Sequence, residues 1–165
     1  TRLSRGLGDV YKRQVDARVR EVLEAAETLV RDRLAAYGRG AARYGLIHAD
    51  MRLANLLIDG GDTRLIDFDD CGFGWFMYDF AAGISFMEEH PQVPALREAW
   101  LDGYRAVRPL DREDEVEIDS FIMLRRMALL AWTGSHAGTD LARSQAPHFA
   151  AGTARLAEAY LARFA

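Results

Sequence analysis

Three oxygen-bearing side chains, Asp50, Asn55 and Asp67, fall in the stretch Tyr44–Asp79, YGLIHADMRLANLLIDGGDTRLIDFDDCGFGWFMYD. A carboxylate preceding an amide and a second carboxylate suits phosphoryl transfer. One group takes a proton, and the other two hold a hard cation such as Mg²⁺ through oxygen. The elements that would position them are short. Leu56-Leu57-Ile58 and Leu65-Ile66 are apolar runs separated by Asp59-Gly60-Gly61-Asp62, which favours a hairpin. Pairing about Gly61 sets Asn55 opposite Asp67, on one face of the ladder, at the open end of the hairpin. A slip of one residue would place them on opposite faces. Asp50 sits in the segment leading into the same end.

The residues also carry a resemblance. His48-Ala49-Asp50-Met51-Arg52-Leu53-Ala54-Asn55 resembles the catalytic loop of protein-kinase-like enzymes, and Ile66-Asp67-Phe68-Asp69-Asp70 their metal-binding loop. Tyr78-Asp79-Phe80-Ala81 resembles the start of the helix that follows. Together these are similar to the aminoglycoside phosphotransferase and choline kinase superfamily. The IDFDD form and GFGWFMYD point to its homoserine-kinase-like or stress-response-kinase branch. The resemblance covers about the last nine-tenths of the chain as a carboxy-terminal lobe and is strongest from His48 to Asp79.

The resemblance implies roles. Asp50 is the catalytic base toward the acceptor hydroxyl, and Arg52 steadies charge on the transferring phosphoryl group. Asn55 and Asp67 hold Mg²⁺ against the phosphates of ATP, the co-substrate. His48 braces the loop, and Asp79 accepts backbone hydrogen bonds from it. Ala49 stands where many members carry Gly, a change expected to matter little. Asp69 and Asp70 are open between contact with metal or substrate and a solvated turn. Trp75 and Tyr78 are read as core aromatics, with lining of an acceptor pocket as the alternative.

The rest of the chain reads as helices. Val15–Tyr37 is amphipathic, with Val15, Val19, Val22, Ala26, Leu29, Val30 and Leu34 at helical spacing and Gly38 ending it. The run Cys71–Tyr78, two glycines among aromatics, reads as a loop pressed onto the lobe surface. Asp79–Glu89 is a helix stopped by His90-Pro91. Further helices are expected from Pro94 to Val107, from an Asp111 cap to Thr133, and from Pro147 to Phe164. Arg125-Arg126 interrupts the apolar part of the second of these, Phe121–Trp132, and is expected to bridge to carboxylates. Thr133–Ala146 reads as a loop; neither His136 in it nor His148 just beyond it has metal-ligand spacing.

Residues 1–14, TRLSRGLGDVYKRQ, read as a disordered or foreign tail; Lys12 is the only lysine in the chain. Residues 15–165 are then one domain. Half of the residues are hydrophobic, and the net charge of −4 gives no general affinity for nucleic acid or membrane. The single Cys71 excludes an internal disulfide and fits a cytoplasmic location. No signal peptide or transmembrane run is read.

The expected fold is α+β and mostly α, a kinase-like carboxy-terminal lobe with one small β-hairpin and no amino-terminal lobe. Its expected partners are a small-molecule hydroxyl acceptor and that missing lobe. The expected activity is transfer of the γ-phosphate of ATP to an aminoglycoside, homoserine or choline-like hydroxyl. A stress-response-type protein Ser/Thr kinase and a non-catalytic binding module are the alternatives.

Overall fold

A computed structural model describes residues 15–165. The tail expected over residues 1–14 lies outside the described residues. Helix α1 spans Ala17–Tyr37 and strand β1 Tyr44–Ile47. A 3₁₀ turn over Leu53–Asn55 leads into β2 (Leu56–Asp59), followed by β3 (Asp62–Leu65) and β4 (Gly72–Trp75). Then come α2 (Tyr78–Gly83), α3 (Val93–Val107), α4 (Arg112–Ser135) and α5 (Asp140–Phe164). The architecture is α+β and predominantly helical. Among the described residues, no helix is long and apolar enough to cross a membrane.

The chain divides into two units. One is Ala36–Ile122; the other joins the residues before Ala36 to Met123–Ala165. In the second, the α1 residues Leu23, Ala26, Val30 and Leu34 are buried, at helical spacing. Met127, Leu130, Phe149, Ala157 and Tyr160 are buried in the same unit. Arg126 is buried as well. It donates from Nε to Thr153 Oγ1 at 2.9 Å and lies 3.6 Å over the Phe149 ring. Neutral partners are therefore among those it uses, where carboxylates were expected. Helix α5 begins seven residues before Pro147. The Thr139 side chain caps it by accepting from Ala142 N at 3.2 Å, so the expected loop is shorter.

In the unit Ala36–Ile122, Phe80, Ile84, Leu101, Ile118 and Phe121 form the buried centre. Tyr37 and Trp75 pack on Phe121 with ring centroids at 5.9 and 5.8 Å. There are two antiparallel two-stranded ladders, β1–β4 and β2–β3. The first was not expected, because Cys71–Tyr78 reads as a loop from its glycines and aromatics. Gly74, and Gly45 opposite it in β1, serve close approach instead. A Cβ at Gly74 would lie 2.3 Å from Ile47 Cδ1, and one at Gly45 would lie 2.8 Å from the Phe76 ring.

The β2–β3 hairpin corrects the expected register. Its pairs run from Leu56↔Leu65 to Asp59↔Asp62, leaving Gly60 and Gly61 as a two-residue turn with φ of +58° and +102°. Positive φ at both positions matches the twist of the flanking strands, which a turn centred on Gly61 would not. One step further out, Asn55 faces Ile66, whose N–H donates to Asn55 O at 3.1 Å. Asp67 is therefore not the cross-strand partner of Asn55.

A second correction concerns α2. It ends at Gly83 rather than running to Glu89, because Phe86 takes a left-handed conformation with φ of +67°.

Candidate active site

The loop between β1 and the 3₁₀ turn is held from below by one carboxylate. Asp79, in the first turn of α2, accepts from His48 N at 3.0 Å through Oδ2 and from Ala49 N at 2.8 Å through Oδ1. Two consecutive N–H groups on one carboxylate fix the two peptide planes that lead into Ala49, one residue before Asp50. Ala49 itself has φ of +66°, where its Cβ is strained. This is the conformation that Gly adopts freely, so the substitution of Ala for the Gly common in the family is less neutral than expected.

Asp50 is half-buried and is engaged by the residues around it. Asn55 Nδ2 donates to Asp50 O at 2.9 Å and to Asp50 Oδ2 at 3.2 Å. Arg52 Nε forms an ion pair with the same Oδ2 at 3.2 Å. The backbone turns tightly here, with Arg52 N donating to Asp50 O and Asn55 N to Arg52 O, both at 2.8 Å. The carboxylate thus faces an amide donor and a guanidinium.

Asp67 reaches the site through the backbone. The Ile66 N–H is tied to Asn55 O. The Ile66 carbonyl accepts from the His48 ring Nε2 at 3.0 Å, which places the ring proton on that nitrogen. His48 is buried, and its ring packs on Phe68 with centroids at 4.8 Å. Both ends of residue 66 are therefore fixed to the catalytic loop immediately before Asp67 turns left-handed, at φ of +66°. Asp tolerates that conformation better than most residues. The hairpin face that the sequence suggested is replaced by an anchored peptide followed by a left-handed step.

The oxygen donors fit a hard cation. Asn55 commits its Nδ2 to Asp50, and among the described residues nothing donates to its Oδ1. Asp67 is exposed, and its carboxylate takes no partner among the described residues. Among those residues, no group of three or more His, Cys, Asp or Glu could hold a metal alone. Mg²⁺ keeps waters and takes oxygens from phosphate, so one amide and one carboxylate make a sufficient protein share.

The remaining residues named from the sequence are placed as follows. Asp69 and Asp70 are exposed at a turn closed by Cys71 N donating to Phe68 O at 3.0 Å. Trp75 is used in packing: its Nε1 donates to Gly38 O at 2.6 Å and its ring meets Tyr44 edge-on at 5.5 Å. Tyr78 is buried at the start of α2. The sequence did not single out the Ile66 peptide, Phe68 or the left-handed backbone at Ala49. Only the last had a signal, the family's Gly.

The comparisons with known proteins give the family. Residues 1–115 match the family model of the phosphotransferase enzyme family APH, and the chain belongs to that family. It lies within the aminoglycoside phosphotransferase-like superfamily. It is 39% identical to homoserine kinase of Neisseria meningitidis serogroup B over 75 residues, 43% of this chain and 25% of that protein. It is 29% identical to amicoumacin kinase of Bacillus subtilis over 118 residues, 66% of this chain and 35% of that protein. Among solved structures it is similar to a microcompartment-associated aminopropanol kinase, with a TM-score of 0.83 and 46% identity over 90% of this chain and 47% of the other. Amicoumacin kinase hAmiN in complex with AMP-PNP, Ca²⁺ and Ami shares the fold, with a TM-score of 0.64 and 24% identity over 88% of this chain and 45% of the other. The chain spans a quarter to about a third of those two curated relatives and slightly less than half of each solved structure.

Proposed function

We propose that this chain carries the base and the metal ligands of a kinase that moves the γ-phosphate of ATP to the hydroxyl of a small amino alcohol. The carrying observation is the Asp50 carboxylate. It is fixed through the peptide that Asp79 clamps and contacted by Asn55 and Arg52, with the open Asn55 Oδ1 beside it. A positioned carboxylate can accept the acceptor's hydroxyl proton, which is the chemistry that phosphoryl transfer asks of a protein side chain. A divalent cation, Mg²⁺ in this reading, would be held by Asn55 and Asp67 and would neutralise phosphate charge. Arg52 lies two residues from the base and is partly exposed, so it can exchange Asp50 for a phosphoryl oxygen.

The acceptor class rests on similarity. The aminopropanol kinase and the homoserine kinase are named for small molecules bearing both an amine and a hydroxyl. Those names favour a small-molecule acceptor over a protein Ser or Thr. The intact Asp50, Asn55 and Asp67 favour catalysis over a binding module.

The test uses the longest reading frame that contains residues 1–165. ADP release is measured with ATP, Mg²⁺ and a panel of amino alcohols, aminoglycosides and a Ser/Thr peptide. Turnover with a short amino alcohol, abolished by EDTA and by Asp50→Asn, is the expected result. Turnover with the peptide alone, or with no acceptor in the panel, overturns the assignment.

A further inference from the structure

Besides Ala49 and Asp67, the described residues include one other non-glycine with positive φ, Phe86. A bulky residue there is strained and persists only where its surroundings over-determine it. What holds it is Glu88, whose Oε1 accepts from Phe86 N at 3.2 Å. Glu88 is itself 7% exposed. A strained aromatic and a buried carboxylate thus occupy one short turn, where a glycine would have served at no such cost.

The place of this turn gives it a use. Helix α2 has six residues, too few to be stable without outside contacts. It touches the catalytic loop at both ends. Asp79 clamps the N–H groups of His48 and Ala49. At its other end Gly83 faces Met51, the neighbour of Asp50: a Cβ there would stand in van der Waals contact with Met51 O, at 3.4 Å. The C-terminal end is then finished by Ile84 N on Phe80 O at 3.2 Å and by Ser85 N on Ala82 O at 3.1 Å. Ser85 Oγ adds a bond of 2.7 Å to the same Ala82 carbonyl. The next residue is Phe86, where the chain leaves the helix.

We infer that Glu88 is a positioning residue for the catalytic loop. It locks the left-handed turn at Phe86, the locked turn ends α2 at Gly83, and Gly83 sets the position of Met51 and through it of Asp50. This rests on the reading of Asp50 as the base. It adds to that reading a second support, placed at the opposite end of α2 from Asp79.

Amide hydrogen exchange and steady-state kinetics on the same reading frame test it. In Glu88→Ala, exchange over residues 48–52 should speed by about tenfold. The acceptor kcat should fall about 10- to 100-fold, as expected for a displaced reacting group, with the nucleotide KM unchanged. Glu88→Gln keeps an oxygen for the Phe86 N–H and should restore both. Gly83→Leu leaves Glu88 intact but crowds Met51 O, and it should reproduce the kcat loss; it decides the matter if Glu88→Ala does not fold. Exchange over 48–52 unchanged in a folded Glu88→Ala protein, or Gly83→Leu at parental exchange and kcat, overturns the inference. Exchange reads the positioning even if the parent lacks the proposed activity, so the two failures are distinguishable.

Discussion

Asn55 Nδ2 donates to both the main-chain carbonyl and the carboxylate of Asp50, at 2.9 and 3.2 Å. One amide group therefore ties the backbone and side chain of the proposed base together, and its own oxygen remains for a cation. In Asp50→Asn, the new amide can still turn its oxygen to Asn55 and Arg52, so the loop should keep its shape. It can no longer take a proton. The expected result is a fall in kcat of about 10²–10⁴-fold with nucleotide affinity nearly intact, measured by coupled ADP release and calorimetry. Near-parental turnover would remove Asp50 from the mechanism.

The identities of the site residues were legible because side-chain chemistry and spacing are written directly in the sequence. Their geometry was less so. The hairpin was found from its glycines and apolar runs, yet its register was off by one residue. Turn centre depends on φ at Gly60 and Gly61, which composition does not report. Strand β4 was missed because glycine is ambiguous in sequence. Only the tertiary contacts of Gly45 and Gly74 with Phe76 and Ile47 show why it is there. Helix α2 was read as too long because the stop is a strained Phe86, a residue with no helix-ending signature. The stripe of α1 was legible only in part: Ala26, Val30 and Leu34 are buried, but Val15, Val19, Val22 and Leu29 are half-buried, and the buried Leu23 and Tyr37 were not named.

The metal ligands give the second prediction. Asp67 follows a peptide fixed by Asn55 O and the His48 ring, whereas Asp69 lies in an exposed turn beyond it. Asp67→Asn keeps the residue's tolerance for left-handed φ and removes only its charge. It should weaken Mg²⁺-dependent nucleotide binding by at least about tenfold, and Asp69→Asn by less than about threefold; one lost charge-assisted contact is worth this much. Titration of Mg²⁺-nucleotide against both variants checks it. A larger loss with Asp69→Asn would move the cation site along the loop.

The third prediction concerns Ala49. Its φ of +66° costs an L-residue about 1–2 kcal/mol, and glycine returns part of that gain through the freedom of its unfolded chain. Ala49→Gly should therefore raise the stability by about 0.5–1 kcal/mol. Ala49→Val should lower it by at least about 1 kcal/mol, because a β-branched side chain is the worst fit to this conformation. Urea unfolding of the three proteins measures both. A stabilising Val or a destabilising Gly would show that the peptide clamped by Asp79 is not left-handed in solution.

The last prediction is a pH dependence that arises away from the loop. Tyr37 OH makes a short hydrogen bond to Asp114 Oδ1, Arg43 Nε lies 3.1 Å from the same oxygen, and Asp111 N donates to Asp114 Oδ2 at 3.1 Å. Burial, and then the bond to Asp114, push the Tyr37 phenol far above its usual value. The folded state therefore favours the neutral phenol. Its stabilisation is complete below the unfolded value of about 10 and is lost progressively as pH rises above it, by at most about 1.4 kcal/mol per unit. Burial also raises Tyr104, so the parent's total alkaline slope is not Tyr37's alone. The difference between the parent and Tyr37→Phe isolates it. At pH 7 the variant should be less stable by about 1 kcal/mol, the net worth of the hydrogen bond. Because the variant lacks the titrating phenol, that deficit should shrink or reverse between pH 9.5 and 11. Urea midpoints across this range give the answer. A deficit that stays constant with pH would mean that the Tyr37 phenol ionises equally in the folded and unfolded chain, against the bond to Asp114.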